Sequence, residues 1–376
     1  MKKFYSKNKH SQQLGNSTIL FVAIGLIAIL IGIFVQTGTN KPKEFPEFSK
    51  MIVFPNAKAI NHSLFTDHEG KRFGEAQLKG KWSILFFGFT NCPDICPTTL
   101  QTLKQVKQTL AENSLWNNYQ VIMVSVDPEI DTVERLSNYV PYFDSEFIGI
   151  VNNAEITTQF AKQLGILFVK RQNDSSHNYE VDHSASLILL NPDGQWAGVI
   201  GAPHKANEIS ADLKKLATFV GPIKQTNQAQ TIKEKSEDST SNQHQTVTTN
   251  SNLDELTITD AWIRPAPPSA TSLAAYFEIQ NNSDKDINIV DSNSPAFDLT
   301  MIHNTVIEDG VARMEHMDGL EIPANGRVTL APLGTHMMLM RPETALNFGY
   351  KIDITLIDEN DNEYHYQVPV RQQPTK

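Results

Sequence analysis

The chain has 376 residues, 40% of them hydrophobic, with a formal net charge of −10 and a pI near 5.6. That length exceeds one ordinary domain and suffices for two hydrophobic cores. The acidic balance leaves no basic stripe to neutralise phosphates, which excludes a nucleic-acid partner and points to proteins and metal ions.

From Ile19 to Val35 the chain reads I-L-F-V-A-I-G-L-I-A-I-L-I-G-I-F-V without a charge. A run of this length spans a hydrocarbon core at 1.5 Å per helical residue. Lys2, Lys3, Lys7 and Lys9 precede it with no acidic residue among them. The positive-inside tendency then predicts a single-pass transmembrane helix with a cytoplasmic N-terminus and everything after residue 45 exported. In a bacterial inner membrane, that places the rest of the chain in the periplasm. A cleaved signal peptide is the alternative, but the run is long for one and Gln36-Thr37-Gly38-Thr39-Asn40 offers no small-x-small cleavage site.

Residues 46–222 alternate short apolar runs with helix-like stretches. The runs are Ser83 to Phe89, Gln120 to Val126, Ile166 to Val169 and Ser186 to Leu190; the helical stretches are Thr98 to Ala111, Thr132 to Tyr139, Ala154 to Leu164 and Lys205 to Phe219. Alternation of this kind predicts an α/β domain around a central sheet. Asp131 with Glu134 reads as a capping box, and Asn191-Pro192-Asp193-Gly194 as a turn between strands.

Cys92 and Cys96 are the only cysteines, in F-T-N-C-P-D-I-C-P-T-T-L, where a helix is expected to start near Pro97. A helix N-terminus favours thiolate over thiol and readies both sulfurs for metal or redox exchange. The C-x-x-x-C spacing departs from the C-x-x-C of dithiol oxidoreductases. Two thiolates suit Cu(I) and want a third, neutral ligand, for which His183 in Y-E-V-D-H-S-A-S-L-I-L-L is the candidate. The plainer alternative is a structural disulfide. Asp94 reads either as tuning the site or as a solvated turn residue, and Asp182 or a backbone carbonyl as the group that orients His183. His62, His68, His177 and His204 match no ligand motif.

The segments F-F-G-F-T-N-C-P-D-I-C-P-T-T-L, M-V-S-V-D-P-E-I-D-T and V-D-H-S-A-S-L-I-L-L-N-P-D-G resemble the Sco (SenC) family over roughly residues 50–222. The resemblance implies a thioredoxin-like fold that binds copper through Cys92, Cys96 and His183 and assists assembly of the Cu(A) centre of cytochrome c oxidase.

Residues 223–252 are polar, with almost no apolar side chains to bury, and read as a flexible linker that would let the two halves meet without a fixed interface. Residues 253–376 favour β-branched and aromatic runs at Thr257 to Ile263, Ala274 to Ile279, Val328 to Leu330, Lys351 to Ile357 and Tyr364 to Val370. Asp309-Gly310, Asp318-Gly319 and Asn325-Gly326 supply turns between them. This predicts an all-β sandwich. Six of the nine methionines fall between Met301 and Met340, in a region without cysteine. Thioether and imidazole donors suit Cu(I), whereas core filling is the alternative for any single methionine. His336 and Met338 share one face of a strand at period 2, with His303 and Met314 arriving from neighbouring strands or loops.

The spacing of His303, Met314, His336 and Met338, with A-A-Y-F-E-I-Q-N-N, I-P-A-N-G-R-V-T-L and G-T-H-M-M-L-M around it, resembles the periplasmic Cu(A) chaperone family, PCu(A)C. That resemblance implies a cupredoxin-like sandwich carrying Cu(I) on those four residues at an exposed edge. Met301, His316, Met317, Met337 and Met340 read as packing or as a shell around the site. A blue-copper electron carrier is excluded, because that centre needs a cysteine thiolate.

Together these readings predict a Cu(I) chaperone, one ion per domain, serving the copper-bearing subunit of cytochrome c oxidase. The rivals are a thiol-disulfide reductase at Cys92 and Cys96, recharged by thiol-disulfide reductants, and a copper storage or resistance protein.

Overall fold

The computed structural model describes residues 21–29, 46–172, 179–221 and 255–374. Of the expected membrane span, residues 21–29 are helical, and the rest lies outside the described residues. Among the described residues no helix is long and apolar enough to cross a membrane. The linker reading at 223–252 and His177 also fall outside the described residues.

The first folded part runs β1 (Met51–Lys58), β2 (Phe65–Asp67), β3 (Arg72–Phe73), α1 (Glu75–Leu78), β4 (Trp82–Gly88), α2 (Ile95–Ala111), β5 (Tyr119–Ser125), α3 (Val133–Phe143), β6 (Ile148–Val151), α4 (Ala154–Gln163), β7 (Phe168–Gln172), β8 (Tyr179–Ser184), β9 (Leu187–Leu190), β10 (Trp196–Ile200) and α5 (Ala206–Val220). Its sheet is ordered β1-β10-β9-β4-β5-β6-β2-β3. β4, β5 and β6 pair in parallel, while β9 and β10 add antiparallel. Every residue of β4 and β5 is buried, as expected of central strands covered on both faces. Helix α2 turns Leu100, Leu103, Val106 and Leu110 inward at helical spacing, which lays it on the sheet with Cys96 in its first turn.

Two local expectations are corrected. Helix α2 begins at Ile95, two residues before Pro97, because Asp94 already accepts the Thr98 N–H on its backbone carbonyl. The N-cap of α3 is Thr132, whose hydroxyl accepts the Arg135 N–H, and not Asp131. The Asp131 carboxylate is taken by the Thr90 N–H and the Thr90 and Ser125 hydroxyls, which tie it to the loop after β4.

The second part runs β11 (Leu256–Ile263), β12 (Ser272–Asn281), β13 (Ile287–Asn293), β14 (Phe297–Glu308), β15 (Val311–His316), β16 (Leu320–Ile322), β17 (Arg327–Leu330), β18 (Thr335–Pro342), β19 (Lys351–Asp358) and β20 (Glu363–Pro369). It is an all-β sandwich. One layer is ordered β16-β13-β19-β20, and the other contains β11-β12-β18-β14-β15 with β17 paired to β12. Phe277, Ile279, Ile302, Met337, Leu339, Ile354 and Leu356 fill the space between them. Asp309 and Gly310 both take positive φ, 50° and 75°, the geometry that lets two residues close the β14–β15 hairpin.

The second layer does not stop at β15. β8 pairs antiparallel with β15, and β7 with β8, so a hairpin of the first part extends the sheet of the second. The described residues from 47 onward form one compact unit, so the expectation of two bodies without a fixed interface is overturned. An open edge at β15 would leave unpaired N–H and C=O groups, and β8 covers it.

Candidate metal centre

Strand β4 delivers the chain into the loop Phe89–Asp94, and α2 takes it up again, which sets Cys92 and Cys96 on either side of the helix start. The Cys96 backbone N–H points at Cys92 Sγ at 3.3 Å, a first-turn amide offered to sulfur. Burial opposes ionisation of Cys92, but hydrogen bonds from Cys96 and His183 and the His183 charge override it and push this thiol well down. Burial and the neighbouring Cys92 charge push Cys96 up. The two thiols titrate as a coupled pair, in which Cys92 is favoured as the thiolate. Both sulfurs are free thiols, so the structural-disulfide alternative is not the state seen here.

His183, on β8, brings Nε2 to 4.0 Å from Cys96 Sγ between the edges of Phe86 and Phe89. Its Nδ1 lies 3.1 Å from the Ser184 carbonyl, which can only accept. A hydrogen bond to that carbonyl takes the Nδ1 proton and turns Nε2 toward the thiols. A backbone carbonyl does what Asp182 was one candidate for. Asp182 instead pairs with Arg171 at 2.7 Å and stands 3.9 Å from Arg313.

The other four candidates come together on one sheet face. Register places His303 opposite His336, Met301 opposite Met338 and Thr305 opposite Met314. Period-2 alternation then turns His303, Met314, His336 and Met338 away from the sandwich core, while Ile302, Met337 and Leu339 point into it. The His303 and His336 rings stack at 6.3 Å. His336 repeats the device of His183: Nδ1 is 3.0 Å from the Gly334 carbonyl, and Nε2 is buried without a hydrogen-bond partner. Burial holds this ring below the usual imidazole range, against the pull of Asp94. A neutral ring with an unused inward lone pair is what a soft metal ion requires.

The expectation of an exposed edge is corrected. The seven candidate residues are all buried, Met338 being the most open at 7%. The first part covers them. Ala312, two residues before Met314, pairs with His183, and Arg171 donates to the Met314 carbonyl at 3.3 Å. The Cys92 charge is felt at His336. Among the described residues no group of three His, Cys, Asp or Glu side chains is drawn up as a metal cage.

The solvated-turn reading of Asp94 is corrected, and sequence reasoning missed the groups that meet it. Asp94 is fully buried and accepts from the Tyr276 hydroxyl at 2.8 Å, the Leu333 N–H at 2.8 Å and the Thr305 hydroxyl at 3.1 Å. Arg264 donates to its backbone carbonyl at 3.1 Å. Beside it, Arg135 and the Thr271 hydroxyl meet at Asn91. Tyr276 lay in plain view in A-A-Y-F-E-I-Q-N-N, but only the register shows that it points out of the sandwich.

A family model described as SCO1/SenC matches residues 55–218. A "Putative copper-binding protein" of Stutzerimonas stutzeri is 35% identical over 168 residues, 45% of this chain and 81% of that protein. The chain belongs to the SCO1/SenC family. A second model, "Putative lipoprotein LpqE-like", matches residues 256–370, the PCu(A)C-type domain. The mitochondrial SCO2 homolog of Homo sapiens is 34% identical over 154 residues, which span 41% of this chain and 58% of that relative. Among solved structures, Arabidopsis thaliana ScoI with copper bound is 32% identical, with a TM-score of 0.40, covering 42% of this chain and 98% of its own. The copper-bound PCuAC domain from PmoF2 is 22% identical, with a TM-score of 0.27, covering 31% of this chain and 92% of its own. The Sco domain, residues 55–218, is α/β with helices around a central mixed sheet, and the domain after it is all-β.

Proposed function

We propose that the chain is a Cu(I) chaperone that carries copper for assembly of the Cu(A) centre of cytochrome c oxidase. The observation that carries the reading is the confrontation of two soft-donor sets. Cys92, Cys96 and His183 lie under the sheet face that holds His303, Met314, His336 and Met338, with Nδ1 of His183 and of His336 each against a backbone carbonyl and Nε2 turned the other way. Thiolate, thioether and neutral imidazole are the donors Cu(I) prefers. Copper here is cargo. Each set would hold one ion, the first through Cys92, Cys96 and His183 and the second, in a cupredoxin-like sandwich, through the four residues of the sheet face. The sulfur and imidazole ligands can be exchanged one at a time between the two faces. The apolar run from Ile19 to Val35 would anchor the protein in a bacterial inner membrane, with the N-terminus cytoplasmic and both domains periplasmic.

The test is competitive Cu(I) titration of the reduced chain. Wild type should bind two ions. Cys92→Ser or Cys96→Ser should abolish tight binding at the first site, and Met314→Leu or Met338→Leu should weaken the second, since leucine keeps the volume and loses the sulfur. Undiminished binding in all four variants would end the proposal.

The asymmetry of the thiols favours a second role compatible with the first. A Cys92 thiolate beside a protonated Cys96 is the arrangement of an attacking and a resolving thiol. Cys92 would attack a client disulfide, and Cys96 would displace the client thiol from the mixed disulfide. The client gains two electrons, and the Cys92–Cys96 disulfide is left for a thiol reductant to reopen.

A further inference from the structure

Asp94 stands between the two thiols in C-P-D-I-C, yet its carboxylate belongs to the other domain's surface. Three donors reach it from there: the Tyr276 and Thr305 hydroxyls and the Leu333 N–H. From its own domain it receives the Thr98 hydroxyl at 3.3 Å. The Arg264 guanidinium lies 3.8 Å from the carboxylate and the His336 ring 3.9 Å. The crevice lined by Cys92, Tyr139, Arg264 and Ala274 has a volume of about 10 Å³. That is room for no more than one water. No client protein can touch Cys92 or Cys96 while this contact stands.

We propose that Asp94 is an interdomain latch: it holds the second domain over the thiol pair, and a client must displace that domain to reach the sulfurs. The client half of this statement rests on the function proposed above; the latch half does not. A buried carboxylate with three or four good donors sits near the balance between its desolvation penalty and its hydrogen bonds. When the domains part, water replaces those donors, so the contact can open and reclose. If the donors are removed with the domains closed, an uncompensated charge is buried and the open state wins. The closed form therefore permits exchange only between the chain's own two sites, and the open form exposes the thiols to a partner.

The experiment measures iodoacetamide alkylation of Cys92 and Cys96 in the metal-free, reduced, full-length chain, read by mass spectrometry. Wild type should react slowly compared with the chain unfolded in guanidinium. Asp94→Ala should react at least ~10-fold faster, and so should the double variant Tyr276→Phe with Thr305→Val, which strips donors from the far side and leaves the thiol loop intact; a tenfold rate corresponds to a modest shift in the opening equilibrium. Acceleration in Asp94→Ala alone would assign the effect to loss of charge beside the thiols and overturn the latch. Acceleration in the double variant alone, in neither, or a wild type as reactive as the unfolded chain would overturn it equally. If Asp94→Ala does not fold, the double variant decides alone. Failure of Cu(I) titration in the same proteins would remove the function and leave the alkylation result standing.

Discussion

Gly88 ends β4 where the chain must pass under the thiols. A Cβ there would lie 2.5 Å from the Phe86 ring and 2.9 Å from Cys96 Sγ. Gly88→Ala should therefore destabilise the domain by about 1–3 kcal/mol through overpacking and shift Cys96, which urea unfolding and Cu(I) affinity would both register. His204 makes a prediction in pH. Burial pushes its ring down to about 4, against an ordinary value of 6.5. A base whose folded pKa is depressed contributes full stability above about 6.5, and that stability is lost as pH falls toward about 4. The loss should be on the order of 3 kcal/mol. His204→Gln should flatten this slope in urea midpoints measured between pH 7.5 and 4.5, whereas an equal slope in both proteins would refute the assignment. Asp131, pushed up to about 6 by burial, works in the opposite direction and is common to both proteins. At this scale the sequence singled out Cys92, Cys96 and His183 by donor type and position, and the structure brings the three together. It did not disclose Asp94, because one aspartate in a turn looks the same whether water or a second domain meets it.

The strands decide which donors meet. Periodicity alone put His336 and Met338 on one face of β18, but His303 and Met314 reach them only through the pairings of β14 with β18 and of β15 with β14. β13, β14, β15 and β16 gave no clear signal in the sequence: β14 and β15 mix polar and apolar residues because the first domain covers their outer face, and β13 and β16 are short or end in polar residues. The β8–β15 pairing carries its own prediction. The Ala185 N–H donates to the Gly310 carbonyl at 2.8 Å, across the domain boundary. Its hydrogen exchange should be slow in the wild type and faster in Tyr276→Phe with Thr305→Val, while the Ser184 N–H, donated to Leu167 of its own domain, should change less.

For the whole molecule, the fixed interface, and not the linker, would let the two proposed copper sites exchange an ion. Transfer of Cu(I) from the second site to the first should follow a rate independent of protein concentration, because the sites already face each other. Stopped-flow thiolate-to-copper absorption at several dilutions would show this, and a rate that falls with dilution would place exchange between molecules.

By itself, the sequence determined the two domain types, the soft-donor inventory and the residues of both motifs. These are local properties: alternation, turn chemistry and the spacing of cysteine, histidine and methionine survive in one dimension. Only the tertiary structure decided that the methionine and histidine face is covered, that β8 closes the edge at β15, and that Asp94 is a shared acceptor. Each of these depends on surface complementarity between segments far apart in the chain, 211 residues between Asp94 and Thr305, and no periodicity within either segment encodes the other.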